Sequence, residues 1–269
     1  IPDNSALNHA FGHFTLASIS GAALLVKLNV EISGSGLLDL SNAALLEEAQ
    51  ITSNDIHEIR LAAQLAQLDV SAPITNLDAP ATSKLTSLQL TNTSATPLGF
   101  NFNLPSSLVN LTLENYAFGK SLNMSNLTAL ESIAFIKPSG LYNLGLPNKY
   151  VYVSLLEPQS GLPSIVPASS ILGLRISDLK DAVLRLDPNM PNLEELSIKN
   201  CAVETLNFGP YPYLTKIEIT SLPLQAIDLT PFAGRQLKRL YLLDLGWDQE
   251  MKDQVRQTAR NIFKELYIN

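Results

Sequence analysis

The sequence predicts an α/β solenoid: short coils stacked on one another, sharing one parallel β-sheet, with a mostly irregular opposite side and a C-terminal capping helix. Leucine is the first reason, at 49 of 269 residues against 16% charged and 7% aromatic side chains. The second is self-similarity, an apolar triplet spaced i, i+3, i+5 that returns about every 22 residues. The third is the content of the gaps, where Asn, Ser, Pro and Gly end strands and make turns.

The best triplets are Leu85-x-x-Leu88-x-Leu90, Leu108-x-x-Leu111-x-Leu113, Leu130-x-x-Ile133-x-Phe135, Ile171-x-x-Leu174-x-Ile176, Leu193-x-x-Leu196-x-Ile198, Leu214-x-x-Ile217-x-Ile219 and Leu237-x-x-Leu240-x-Leu242. Taking the middle residue as anchor and admitting weaker copies gives Leu28, Ala49, Leu68, Leu88, Leu111, Ile133, Val151, Leu174, Leu196, Ile217 and Leu240. Eleven coils follow from that register. A shorter apolar doublet comes about ten residues after most anchors, as in Leu38-x-Leu40, Ile59-x-Leu61, Leu122-x-Met124 and Leu206-x-Phe208. Each coil therefore points side chains inward twice, and the alternation around each anchor has the period of a strand. One coil cannot bury its own apolar edge. Stacking at the inter-strand spacing of roughly 4.8 Å pairs the backbone groups and closes a continuous core.

In chain order, residues 1–23 are expected to be an N-terminal cap or the remnant of an upstream region, residues 24–246 the solenoid, and residues 247–269 the capping helix. Residues 54–69 hold helix formers behind an Asn/Asp cap, but Ile59-x-Leu61 and Leu68-x-Val70 keep the coil register, which favours coil edges over a helix. Pro138, Pro147, Pro158, Pro163 and Pro167 predict a longer loop that interrupts the stack, because proline cannot donate to a central ladder. That loop is a candidate interaction surface. After Trp247, Asp248 caps a helix whose Met251, Val255, Ala259, Ile262, Phe263 and Leu266 share a face and cover the open end. Covered ends predict a monomer.

The segment Leu193-x-x-Leu196-x-Ile198-x-x-Cys201-x-Val203, followed by Leu206-x-Phe208, resembles the leucine-rich repeat. The doublets Ile227-Asp-Leu229-Thr, Leu206-Asn-Phe208-Gly and Leu122-Asn-Met124-Ser resemble those of secreted bacterial repeat proteins, surface antigens of the Bacteroides type and, more loosely, internalins. The resemblance covers roughly residues 24 to 243 and implies a right-handed superhelix with its sheet on the concave side. The usual Asn position holds Thr93, Tyr116, Pro138, Leu179, Cys201 and Leu222 in successive coils, so no continuous Asn ladder can bond the turns.

A net charge of −7 provides no basic excess to displace phosphate counterions, which argues against nucleic acid and anionic lipid as partners. The longest greasy stretch, Gly21 to Val30, contains Lys27 and Asn29, so membrane insertion is not expected. Ile1 opens the chain without an initiator Met or signal-type regions, so a leader is expected to be missing, and the resemblance implies an extracellular or cell-surface location.

Chemistry is sparse. The three histidines, His9, His13 and His57, fall in the first quarter. His9-x-x-x-His13 would place two imidazoles on one face if helical, yet no Glu follows His9 and Phe14 points to a packed cap, so no metal is expected. Cys201 has no histidine near it in sequence and reads as a small buried side chain. Gly34-Ser-Gly36 lacks the third glycine of a nucleotide loop and reads as a turn. Neither catalysis nor a cofactor is expected.

Binding is the class with a physical basis, because stacked strands expose side chains between the inward leucines. By register these include Gln67, Asp69, Ser87, Gln89, Asn110, Thr112, Tyr150, Tyr152, Arg175, Ser177, Ser197, Lys199, Lys216, Glu218, Arg239 and Tyr241. The second half brings Tyr, Arg and Lys together, the mix enriched in hot spots. Tyr152, Arg175, Lys199, Glu218 and Tyr241 are the candidate ligand-binding residues, for a protein or glycan ligand. A structural stalk within a larger surface protein is the alternative. A eukaryotic receptor ectodomain is another, for which the acceptor patterns at Asn92, Asn110, Asn123 and Asn126 would matter.

Overall fold

The computed structural model describes residues 9–15, where the description is of the backbone, and 24–34, 36–80, 83–100, 102–180, 184 and 186–269. Its main feature is one parallel sheet of 13 strands. These are β1 (His9–Thr15), β2 (Lys27–Ser33), β4 (Glu48–Ser53), β6 (Gln67–Ser71), β8 (Ser87–Thr91), β10 (Asn110–Glu114), β12 (Ser132–Ile136), β14 (Val151–Leu156), β16 (Ile171–Ser177), β17 (Glu195–Lys199), β18 (Lys216–Thr220), β19 (Leu237–Leu243) and β20 (Phe263–Ile268), in that spatial order. On other segments of the coils, β3 (Gly36–Asp39), β5 (Ile56–Arg60) and β7 (Asn76–Asp78) form a three-stranded sheet. The strands β9 (Leu98–Gly99), β11 (Tyr116–Asn123), β13 (Ser139–Gly145) and β15 (Ser164–Val166) form a four-stranded one. The chain is a parallel β-solenoid of stacked coils with one short helix near its C-terminus, α1 (Gln249–Ala259).

Ten of the eleven sequence anchors stand in one register row: Leu28, Ala49, Leu68, Leu88, Leu111, Ile133, Leu174, Leu196, Ile217 and Leu240. None is more than 6% exposed. The eleventh is a correction, since Val153 and not Val151 pairs with Ile133 and Leu174. In β14 the buried residues alternate as Val151, Val153 and Leu155, while Leu172 bulges out of register between Ile171 and Gly173 of β16. A pattern requiring an i, i+3 step therefore slips by two. Residues 54–69 hold β5 and the start of β6, as the coil reading expects.

The expected interruption at residues 138–170 does not occur, because β12, β14 and β16 pair without a gap. Pro138, Pro147, Pro158, Pro163 and Pro167 all lie between strands, where no ladder needs their missing N–H.

The turns after β10, β12, β14, β16, β17, β18 and β19 share one left-handed residue. Asn115, Lys137, Glu157, Asp178, Asn200, Ser221 and Asp244, each four residues past the register row, adopt left-handed backbone with φ between 49° and 61°. The N–H of this residue meets the next coil: Asn115 donates to Ile136 O, Lys137 to Leu156 O, Glu157 to Ser177 O, Asp178 to Lys199 O, Asn200 to Thr220 O and Ser221 to Leu243 O, at 2.8–3.0 Å, a bond that Ala72 and Asn92 make to Thr91 O and Glu114 O without left-handed backbone. The following position can then be apolar, and Tyr116, Leu179, Cys201 and Leu222 are at most 2% exposed there. Left-handed backbone costs a non-glycine L-residue about 1–2 kcal/mol. Lys137→Gly should therefore raise stability by about 0.5–1 kcal/mol, read as a higher urea midpoint. A lower midpoint would show that the Lys137 side chain contributes more than its backbone costs.

The C-terminal end is closed differently from expectation. Asp248 caps α1, its carboxylate accepting from Met251 N–H at 2.8 Å, and Val255 and Ala259 are buried. The helix ends at Ala259, however, and Ile262, Phe263 and Leu266 are not on it. The chain turns and adds β20 to the long sheet. Arg256 of α1 donates to Ile268 O at 2.7 Å, and Asn269 Oδ1 accepts from Asp244 N–H, the role that backbone carbonyls play in the coils before it. At the other end β1 pairs with β2, while residues 1–8 and 16–23 of the expected N-terminal cap lie outside the described residues. No helix among the described residues is long and apolar enough to cross a membrane.

Candidate binding face

Alternation turns one set of main-sheet side chains into the core and the other outward, so outward positions form rows that run across the strands. One row precedes the register residue and reads Ser132, Tyr152, Gly173, Glu195, Lys216, Arg239 and Glu265. The row after it reads Ala134, Ser154, Arg175, Ser197, Glu218, Tyr241 and Tyr267. The five sequence-nominated residues meet here: Tyr152, Arg175, Lys199, Glu218 and Tyr241 all line one hollow of about 350 Å³ on β14 to β19. The Val151 slip had placed Tyr152 after its anchor; it stands before Val153, on the same outward face. Tyr150 precedes β14 and lies outside the hollow.

At one end of the hollow, Tyr152 lays its ring over Gly173. A Cβ at residue 173 would lie 2.3 Å from Tyr152 Cδ1 and 2.6 Å from Cε1, so only glycine leaves room for that pose. Tyr152 remains 42% exposed. Burial, then the nearby Glu195 and Glu194, push its hydroxyl pKa above the ordinary value, which keeps the phenol neutral. At the other end, Tyr241 stacks on Tyr267 with centroids 4.7 Å apart and planes 7° from parallel. β20, which sequence reasoning read as helix, supplies that second ring.

Between the tyrosines, opposite charges pair across neighbouring strands. Lys199 Nζ lies 2.7 Å from Glu218 Oε1, Lys216 pairs with Glu195, and Arg239 Nε donates to Glu265 Oε2 at 2.6 Å. Ser197 Oγ donates to Glu218 Oε2 at 3.2 Å. Such partly exposed pairs contribute about 0–1 kcal/mol each and chiefly hold the side chains in place. Arg175 is exposed and, among the described residues, has neither an ion-pair nor a hydrogen-bond partner. Its row neighbours are Ser154 and Ser197.

A second hollow of about 350 Å³ lies on β2 to β8 of the same face, lined by Asn29, Gln50, Gln67, Asp69 and Gln89 with the Lys27–Glu48 pair at its edge. Burial raises the Asp69 pKa. Sequence register nominated Gln67, Asp69, Ser87 and Gln89 for this face and set this half apart from the one that brings Tyr, Arg and Lys together.

The other candidates are placed as follows. β1 is extended, so His9 and His13, four residues apart, are separated by about 13 Å of backbone rather than one helical turn. Imidazole Nδ1 of His57 lies 3.0 Å from Pro73 O. Cys201 is 2% exposed, donates to Lys199 O at 3.1 Å, and has its thiol pKa raised, first by burial, which disfavours the reactive thiolate. Asn92 is 3% exposed and its amide nitrogen donates to Thr96 O and Asn115 O, so it offers no free acceptor for a glycan. Asn110, Asn123 and Asn126 are exposed. Among the described residues, no three His, Cys, Asp or Glu side chains gather as a metal-ligand set.

Comparison with protein-family models, with curated proteins and with solved structures returns no match to this chain.

Proposed function

We propose that the protein is a non-catalytic binding protein, secreted or displayed at a cell surface, that recognises a protein or glycan on the outward face of β14 to β19. On this reading the coils are leucine-rich repeats and the long sheet is the concave side of a right-handed superhelix. The observation that carries the reading is the hollow itself, where two tyrosine surfaces flank a guanidinium that is unpaired among the described residues. Aromatic rings and arginine are the side chains that most often dominate an interface. The repeat assignment draws on the recurrent triplet and on Cys201 buried at the position where that repeat places Asn or Cys. The non-catalytic reading draws on the sequence, which offers no nucleophile or base with an orienting partner.

The test is a host-protein and glycan screen with the whole chain, comparing the natural protein with the Tyr152→Ala/Arg175→Ala/Tyr241→Ala variant. All three side chains are outside the core, so the variant should keep its strand signal in circular dichroism. Loss of at least about 2 kcal/mol of binding energy, roughly thirtyfold in Kd, is expected for any genuine ligand. Equal binding by both proteins would remove this hollow from the function.

A further inference from the structure

We infer that the ligand of the β14–β19 hollow is an acidic saccharide, a pyranose chain whose carboxylate docks on Arg175 while a sugar ring lies on Tyr152. The inference rests on the binding reading above and names the chemistry of its ligand.

Charge is the first argument. Four cations line the hollow, Arg175, Lys199, Lys216 and Arg239, against two carboxylates, Glu195 and Glu218. With Glu265, which Arg239 holds, these charges are matched among the described residues except at Arg175, on a chain whose net charge is −7. Lys199, Lys216 and Arg239 each already hold a carboxylate, at Glu218, Glu195 and Glu265. Arg175 holds none among the described residues, so an incoming anion displaces no protein partner there. A guanidinium presents a planar fork that a carboxylate fills with two parallel hydrogen bonds. Ser154, beside Arg175 in the row, adds a hydroxyl, while that of Ser197 on the other side already donates to Glu218.

The second argument is shape. Tyr152 lies over Gly173 with two fifths of its surface exposed, which makes it a platform and not a plug. Tyr241 has one face closed by Tyr267, which keeps it upright at the far wall. A volume of about 350 Å³ has room for one or two sugar rings. An acidic peptide satisfies the charge but has no ring for Tyr152, and the test separates the two.

The experiment is isothermal titration of the whole protein with three probes: a β-linked glucuronate tetrasaccharide, cellotetraose, which differs only in lacking the carboxylates at C6, and a glutamate tetrapeptide. The glucuronate is expected to bind about tenfold or more tightly than cellotetraose, and the tetrapeptide more weakly than the glucuronate. Arg175→Ala should abolish the preference over cellotetraose, and Arg175→Lys should restore only part of it. Gly173→Ala, which evicts the Tyr152 ring without touching a charge, should weaken both saccharides about equally. Thermal melts of each variant verify the fold.

No glucuronate binding at millimolar concentration, equal binding of glucuronate and cellotetraose, or tighter binding of the tetrapeptide would each overturn the inference. None of these outcomes restores a ligand lost in the triple-variant screen, so the broader binding reading stands or falls on that screen alone. Glucuronate binding that survives the triple variant would overturn the inference as well.

Discussion

Tyr116→Ala is expected to lower the unfolding free energy by about 3–5 kcal/mol, the range for deleting a fully buried ring. Tyr116 is 0% exposed and opens β11 at the position that the leucine-rich-repeat pattern reserves for Asn. Its ring meets Phe100 edge-on at 5.8 Å and Phe102 at 5.9 Å, and Phe118 in turn meets Phe135 at 5.4 Å. Four phenylalanines thus lean on one another between the long sheet and β11, and the void left by alanine cannot be filled by a strand held on both sides by its neighbours. The hydroxyl adds little, since it donates to Ile74 O at 3.4 Å, a long bond. Tyr116→Phe should cost less than about 1 kcal/mol in urea unfolding. A Phe variant as unstable as the Ala variant would mean that the hydroxyl, and not the ring, holds the coils.

The same burial gives a pH signature. Desolvation raises the pKa of Tyr116, and first among several causes that of Tyr211, above the ordinary 10.0. In the folded state these phenols stay neutral, whereas in the unfolded chain they ionise near pH 10. Their contribution is therefore complete below pH 10 and is lost as pH rises toward the folded-state values. Stability should fall above pH 10 by up to about 1.4 kcal/mol per pH unit for each group. Urea midpoints across that range, measured for the natural chain and for Tyr116→Phe, check it: the Phe variant should fall less steeply.

Arg235→Ala carries the second large effect, about 2–4 kcal/mol. The guanidinium reaches back one coil and donates to four carbonyls, Tyr211 O at 3.0 Å, Pro212 O at 2.8 Å, Leu214 O at 2.9 Å and Pro210 O at 3.5 Å. Pro210 and Pro212 supply no N–H of their own to organise this turn, so the arginine gathers its carbonyls instead. Burial lowers the Arg235 pKa, and the carbonyls that accept from the guanidinium favour its charged form. The Phe232 ring lies 5.6 Å from the guanidinium carbon and closes the other side. Arg235→Lys should lose most of the same energy, because one ammonium cannot serve four diverging acceptors. Full stability in the Lys variant would reduce the clamp to a simple charge effect.

Sequence reading reached far here because a solenoid writes its fold locally. The i, i+3, i+5 triplet is visible in any single coil, and each coil meets its neighbours in the same way, so Leu88, Leu111, Leu196 and Ile217 could be aligned before any coordinates existed. The outward residues follow from alternation, and for that reason Tyr152, Arg175, Lys199, Glu218 and Tyr241 could be placed on one face by counting. Counting failed where spacing is set by contacts and not by period. The slip at Val151 reflects a bulge in the adjacent strand β16. The end of α1 at Ala259 was hidden because Ile262, Phe263 and Leu266 satisfy a helical stripe, yet the open edge of β19 offers them backbone partners that a longer helix would forgo.

The amino-acid sequence by itself determined that the chain stacks coils about 22 residues apart, which residues enter the core and which face water. Only the tertiary structure decided the rest: the left-handed turns after β10 to β19, β20 in place of helix, the Tyr152 ring over Gly173, and Arg175 left without a partner among the described residues while the cations around it are matched. The physical reason is range. Burial patterns repeat within one coil, whereas pairing, ring stacking and the absence of a counter-ion depend on which atom of the next coil lies within a few ångströms.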